Sequence, residues 1–495
     1  MPRHGVRVVE PHQRGTTVTK DLRTFLRQVI EQRPGDVKVV DMPVDPEHGI
    51  TAWGAKYARR GAHPAFVFPE VDGAATACAT NLTATWERMA IALDTSVEQL
   101  RGPTRIGEGA HAHEPVEVDR ADAPVKDVVW TGEDIRLDRL PIPTHNHADG
   151  GPYLTAAVGI TRDPHSGAVN AGIYRHHIYD ETHMGVWFFG SHHGGTIHRR
   201  YTEKGDPTPI ALAIGHHPAF LLGAVSRVPG IGGEYLAAGA LLDEPVRTVR
   251  AETSDLPVPA DAEIVIEGEV LPDEEREEGP FCEWPGLFVA GGPKPVIRVT
   301  AITMRRDAIF HDIQAAGQEH RLMGALPRIS SVQQNVSKVV DHLHAVNIPL
   351  HTRMHCYVSL RKVNDGEPAR AAFAALNTEP ENFRMVVVVD DDIDVFDDEQ
   401  VSWAIGTRFD AREDAVVIPR WNGPGGLLPS NYTYDEHGGR EARMGSAVII
   451  DATKPAPPVR FPEHAYVPED AIDTVDESLA YDAQPGFTPP QVAQP

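Results

Sequence analysis

Between residues 115 and 325 the chain is a succession of short β-prone runs cut by glycine and proline, and this stretch restricts the fold more than any other. Tyr153 to Ile160, Ile210 to Ile214, Ala262 to Val270 and Val296 to Met304 are each of strand length and bounded by turn residues, which predicts a mainly antiparallel, barrel-like domain. The flanks differ. In Asp21–Ile30 the apolar positions 22, 25, 26, 29 and 30 form one helical face, with Asp21 placed to cap it. Beyond 330, Val332, Val336, Val339, Val340, Leu343 and Val346 repeat at helical spacing and predict one helix. Met385–Val389 then reads as a buried strand closed by Asp390–Asp394. The expectation is an α+β chain of several domains: an α/β domain over 1–115, the β domain over 116–325, a second α/β domain over 326–454, and a Pro-rich tail over 455–495 that wraps a neighbour or stays mobile. At 495 residues, a single core is not expected.

The formal net charge of −25 disfavours nucleic acid, whose affinity rests largely on Lys and Arg neutralising phosphates. A phosphorylated cofactor would have to be held by local cations, meaning a metal ion or a placed arginine. No run approaches the roughly 20 apolar residues of a membrane span, and the opening Met-Pro-Arg-His-Gly-Val-Arg has no apolar core of a secretory signal. Cys78, Cys282 and Cys356 are far apart, without zinc or disulfide spacing, so a cytoplasmic location is expected. Walker A, G-x-S-x-G and H-E-x-x-H motifs are missing, as is a convincing G-x-G-x-x-G. Gly423-Pro-Gly-Gly-Leu-Leu lacks the lysine and following helix of a phosphate loop. Common nucleotide, hydrolase and protease readings are disfavoured.

Two segments carry candidate chemistry. Glu278-Gly-Pro-Phe-Cys-Glu283 places two carboxylates five residues apart on a Gly-Pro turn, and Asn170-Ala-Gly-Ile-Tyr-Arg175 places an amide and a guanidinium at the same spacing. A solvated surface pair is the ordinary reading of two such glutamates. Against it, Phe281, Trp284 and Pro285 surround Glu283 with apolar bulk, and desolvation raises a carboxyl pKa toward that of a general acid. Arg175 would hold Glu278 charged. Carboxylates pushed in opposite directions make an acid–base arrangement.

A histidine-rich stretch, His192-His193-Gly-Gly-Thr-Ile-His198, follows Val186–Phe189, and Glu234 lies in Gly232–Gly239. Structural histidines are the commoner outcome for such a pair, and that reading is kept for His111/His113, His176/His177 and His216/His217. The oxygens of Asn170 and Glu234 with a histidine nitrogen would suit Mn2+ or Mg2+, leaving positions for phosphate oxygens. Asp390–Asp392 reads as a polar turn closing a strand rather than as a metal site.

Together with Asp149-Gly-Gly-Pro-Tyr-Leu, His193-Gly-Gly, Val387-Val-Val-Asp-Asp-Asp-Ile-Asp394 and Trp403-Ala-Ile-Gly-Thr-Arg408, these motifs resemble the UbiD-type decarboxylases, which use prenylated flavin mononucleotide (FMN). The resemblance covers nearly the whole chain. It implies that the central domain is a split β-barrel that binds the flavin and that the C-terminal domain mediates oligomerisation, as a homodimer or homohexamer. Asn170, His193 and Glu234 match ligands of a divalent metal on the cofactor phosphate, with Ser226 near a K+ ion. Arg175, Glu278 and Glu283 match the catalytic arginine and two glutamates, Glu283 being the proton donor. Ile173 and His192 would lie against the flavin.

The chain departs from the family at two positions. Arg384 stands where the family often has a phosphate-contacting lysine, and Cys282 where it often has glycine; the cysteine reads as a packing residue. The implied activity is reversible decarboxylation of an aromatic, heteroaromatic or α,β-unsaturated acid, with cofactor supplied by a flavin prenyltransferase. Gln318–Met323 and Leu427–Asn431 would line the pocket. Two alternatives stay open: a flavin oxidoreductase on a split barrel, and a non-catalytic subunit of a decarboxylase complex.

Overall fold

The computed structural model describes residues 7–8, 19–102, 111–188, 192–226, 230–289, 291–421, 428–435, 440–463, 465 and 467–480. Phe189, the glycine run from Gly423 to Leu427 and the prolines from Pro485 onward lie outside the described residues.

The molecule is organised around one eight-stranded sheet, ordered Arg7–Val8, Val128–Thr131, Gly292–Met304, Ile264–Glu278, Thr208–Ile214, Val158–Arg162 and Val169–Ile173, with His183–Gly185 added beside Gly292–Met304. Every neighbouring pair is antiparallel. Its two long strands pair from Ile264↔Met304 to Glu278↔Gly292, with irregular register at Glu267/Gly268 and between Val270 and Glu275. At Gly268 the chains approach so closely that a Cβ would meet the Arg298 carbonyl oxygen at 2.7 Å. The apolar run Ile264-Val-Ile266 is explained by cover on both faces. Ile264 and Ile266 enter a core with Phe66, Phe68 and Trp130. Val265 enters another with Phe220, Leu221 and Met323.

The first helix, Leu22–Gln32, is capped as expected: Asp21 and Thr24 form a reciprocal capping box, and Leu22, Phe25, Leu26 and Val29 are buried. It packs on a four-stranded sheet ordered Ile309–Asp312, Ala77–Thr80, Ala65–Phe68 and Val37–Val39. Ile309–Asp312 comes from beyond the central strands and pairs parallel with Ala77–Thr80.

A helix, Gln318–Val336, leads into a five-stranded sheet ordered Leu343–Asn347, His355–Leu360, Met385–Asp390, Ala447–Ala452 and Ala415–Ile418. Here the single helix expected through Val346 is corrected. The helix ends at Val336, and Leu343 and Val346 lie on the antiparallel edge strand. Val332, Val336 and Val346 share one core, so an apolar repeat at helical spacing arises from two elements feeding the same interior. Met385–Asp390 is the buried strand expected.

Residues from Lys454 onward form a separate unit, whose described part holds the short helix Glu469–Ile472 and the turn Glu477–Leu479. No described helix is long and apolar enough to cross a membrane.

Candidate active site

Glu278 ends the longest strand. The chain then turns at Gly279, whose φ of +90° favours glycine. It returns as Phe281–Cys282, paired with Phe288–Val289. Glu283 starts the tip of that hairpin, which is closed by bonds from Glu283 N to Leu287 O (3.0 Å) and from Gly286 N to Glu283 O (2.8 Å). Arg175 follows the strand Val169–Ile173. Its Nε and Nη2 donate to Oε1 and Oε2 of Glu278, both at 2.8 Å, and its Nη1 donates to Oε1 of Glu283. The guanidinium lies 3.7 Å from the Trp187 ring centroid and 4.9 Å from that of Phe281. Side-chain exposure is 8% for Arg175, 1% for Glu278 and 17% for Glu283, so Glu283 is the carboxylate with room to move.

This geometry corrects the expected division of labour. The expectation is that Arg175 holds Glu278 charged while apolar side chains flank Glu283. A guanidinium has five N–H donors, and here it holds both carboxylates. Trp284 lies instead under the Arg353 guanidinium, 4.6 Å away. Tyr153 donates its hydroxyl to Glu278 Oε1 at 3.1 Å. Burial, and then the Glu278 charge, push the Tyr153 phenol above its ordinary pKa. The hairpin is tied down by Asp149, which accepts from Cys282 N at 2.9 Å and from Asn146 N at 2.7 Å. Gly150 approaches so closely that a Cβ would sit 2.3 Å from the Gly279 oxygen. Cys282 is buried, and burial with the Asp149 and Glu283 charges pushes its thiol up to about 11. That environment suits a packing residue.

Asn170, His193 and Glu234 are brought together from three elements. Asn170 is buried on Val169–Ile173. His193 and Glu234 are the first residues of the helices His193–Thr202 and Glu234–Leu242. His193 Nδ1 lies 3.5 Å from Glu234 Oε1. The Glu234 carboxylate accepts the Ala171 N–H, while burial, the largest influence, raises its pKa. Its Oε2 is buried with no hydrogen-bond partner among the described residues. The Tyr174 hydroxyl accepts from Asn170 Nδ2 at 3.4 Å and from the Gly194 N–H. A buried, half-satisfied carboxylate beside an imidazole and an amide is a donor set that fits a divalent cation. Two helix N-termini at the same place suit an anion such as phosphate. The set contains only two His or carboxylate side chains; no group of three or more His, Cys, Asp or Glu suited to a metal occurs among the described residues.

Other expected residues are more dispersed. Half-buried Ile173 ends the Asn170 strand, and the His192 ring lies 6.4 Å from that of Tyr174. Ser226 Oγ donates to Leu222 O at 2.8 Å. Arg384 precedes the buried strand and donates to Asn431 and, at 3.3 Å, to Ser446 O. Asp390 and Asp392 are held by Arg408 at 2.7 and 2.9 Å, which suits the polar-turn reading. His176 and His216 are buried, and burial pushes them down to about 3 and about 4. Sequence reasoning missed Tyr153, Tyr174 and Trp187. Each adjoins a quoted motif or stands within one, but an aromatic beside a polar residue reads first as core.

Comparison with known proteins agrees with this layout. Residues 30–102, 116–318 and 320–452 match, in order, the N-terminal, Rift-related and C-terminal domains of 3-octaprenyl-4-hydroxybenzoate carboxy-lyase, UbiD. The anhydromevalonate phosphate decarboxylase of Methanothermobacter thermautotrophicus is 35% identical over 287 residues, covering 57% of this chain and 67% of that one. The UbiD-class enzyme HmfF of Pelotomaculum thermopropionicum, solved with FMN, superposes with a TM-score of 0.83 at 34% identity, over 92% of this chain and 99% of its own. An evolved dimeric form of HmfF is known with prenylated FMN (TM-score 0.80, 32% identity, 93% and 99% coverage). The 3,4-dihydroxybenzoic acid decarboxylase AroY of Klebsiella pneumoniae gives a TM-score of 0.81 at 26% identity, over 92% and 99%.

Proposed function

The chain belongs to the UbiD carboxy-lyase family, and on that premise we propose that it catalyses the reversible, non-oxidative decarboxylation of an aromatic or heteroaromatic acid with prenylated FMN. The observation that carries the reading is one buried guanidinium shared between two carboxylates, two residues beyond the strand that carries Asn170. Asn170, His193 and Glu234 would hold Mn2+ or Mg2+ on the cofactor phosphate, with Ser226 near K+ and Arg384 as a further phosphate contact. Bound prenylated FMN supplies an electrophilic sink for the electrons left when carbon dioxide departs.

The protein's own part follows from the ion pairs. Glu278 and Tyr153 fix Arg175 on one edge, leaving Nη1 as the exchangeable arm. An incoming carboxylate competes with Glu283 for that arm, because one guanidinium is already balanced by two negative charges. Protonation of Glu283 releases it, and the substrate carboxylate takes its place. The bond between ring carbon and carboxyl carbon breaks, carbon dioxide leaves, and Glu283 delivers its proton to the same carbon. The ionised Glu283 can then return to Arg175. Trp187 and Phe281 lie against the guanidinium during the exchange.

The test is native mass spectrometry and carbon dioxide release for protein made with and without a flavin prenyltransferase. Prenylated FMN plus a divalent metal, with turnover of an aromatic acid in the absence of nicotinamide, is the expected result. Plain FMN in both preparations with no turnover would point to an oxidoreductase. Glu283→Gln is expected to retain cofactor and lose turnover; full activity in that variant would remove the proton-donor role.

A further inference from the structure

Outside the Arg175 site, a cavity of about 270 Å³ opens where the helix Val97–Arg101, the start of the helix Gln318–Val336 and the loops after Asn347 and Val395 meet. Two guanidiniums line it, Arg101 and Arg321. Arg101 is clamped between aromatic rings, 5.3 Å from the Trp86 centroid and 4.8 Å from that of Phe396. The two rings meet edge to face at 5.5 Å. The clamp fixes the guanidinium without neutralising it, and its Nε is buried with no hydrogen-bond partner among the described residues. Arg321 has no carboxylate partner among the described residues, and burial lowers its pKa.

The one acidic side chain on the cavity wall, Asp398, is already engaged. His351 Nδ1 lies 3.4 Å from its Oδ2, and Tyr357 donates a hydrogen bond to it. Among the described residues no carboxylate pairs with either guanidinium, and the aromatic clamp holds Arg101 in place, in a space of several water volumes. Guanidinium forks match the planar two-oxygen edge of a carboxylate.

We propose that this cavity is a second carboxylate-binding site, distinct from the Arg175 position, in which Arg101 and Arg321 grip one carboxylate. Arg353 links it to the acid hairpin: its guanidinium lies 4.6 Å from the Trp284 ring and donates at 3.5 Å to the carbonyl of His320, next to Arg321. The ligand is either a separate small carboxylate or the second carboxylate of a diacid substrate. The latter case rests on the decarboxylase reading above; the site itself does not.

Cofactor-free protein is titrated with benzoate and with terephthalate, following tryptophan emission and heat. Both probes are expected to perturb Trp86, and that part of the signal is lost in Trp86→Phe. Arg101→Gln and Arg321→Gln should each weaken binding about tenfold, roughly 1.4 kcal/mol, while Arg175→Gln leaves this event unchanged. Binding of neither probe, or equal binding in both arginine variants, overturns the proposal. The source is then read in the holoenzyme. If the ligand is a substrate's second carboxylate, Arg321→Gln lowers kcat/KM for diacids and spares monoacids. If it is a separate carboxylate, benzoate changes turnover of another acid without raising its KM competitively, and Arg321→Gln removes that effect. Because binding is measured without cofactor, failure of the decarboxylase reading would leave the first result intact.

Discussion

At the scale of single residues, the arrangement turns on how many carboxylates one guanidinium can hold. Arg175 already carries Glu278 on two nitrogens and Glu283 on the third. A third carboxylate can enter only if a proton accompanies it. Binding of an aromatic acid at Arg175, read as the event lost in Arg175→Gln, is therefore expected to take up close to one proton. Calorimetry in buffers of different ionisation enthalpy measures this directly, and an Arg175-dependent event without proton uptake would sink the exchange. Glu283→Gln should abolish the uptake while still binding the acid. Tyr153→Phe leaves a buried carboxylate oxygen short of one donor, a loss of about 1–3 kcal/mol; a lower melting temperature and an altered pH–rate profile are expected, and an unchanged profile would reduce Tyr153 to packing. The pairing of Arg175 with Glu278 was legible in the sequence because both motifs are short and polar. Its three-way form was not, because spacing along a chain says nothing about which nitrogen of a guanidinium meets which oxygen.

At the scale of elements, the His216–His217 pair heading the helix Pro218–Ala224 gives a stability prediction with a definite sign. His216 Nδ1 accepts from His217 N at 2.8 Å, and His217 Nδ1 accepts from Ala219 N at 3.3 Å, so both rings must be neutral. Burial depresses them to about 4 and about 3, against about 6.5 in an unfolded chain. Below pH 6.5 the unfolded state binds protons that the folded state refuses. The stability is thus fully present above that pH and is lost as pH falls toward 4, by up to about 1.4 kcal/mol per pH unit for each ring. Melting temperature should be flat from pH 7 to 8 and fall between 6.5 and 5. His217→Asn keeps a capping acceptor and should take one ring's share out of that slope; an unchanged slope would show that other groups set it. These imidazoles were correctly readable as structural. The end of the Gln318–Val336 helix was not readable, because Leu343 and Val346 continue its spacing from a strand that enters the same core.

At the scale of the whole molecule, sequence patterning outlined three regions but did not show how they interlock. The run Ile309-Phe-His-Asp312 has no feature that names its partner, since a parallel pairing to a strand some 230 residues earlier leaves no local signature. Its consequence is large. Asp312 accepts from Thr80 at 3.2 Å and from Thr155 at 3.0 Å, and lies 2.8 Å from His145 Nε2. One buried carboxylate thus joins the N-terminal sheet to the segment that leads into the central strand Val158–Arg162. A fragment of residues 19–102 would keep three of the four strands and expose the edge of Ala77–Thr80, whose Cys78, Ala79 and Thr80 are buried in the intact chain. Unpaired backbone on an apolar edge is costly and prone to aggregate. The fragment is expected to show no cooperative thermal transition by circular dichroism, whereas the full chain loses its N-terminal and central structure together. Appending residues 305–316 through a flexible linker should restore part of the transition. A cooperative melt of the bare fragment would mean that the N-terminal region folds independently, and that the 309–312 strand is an attachment rather than part of its core.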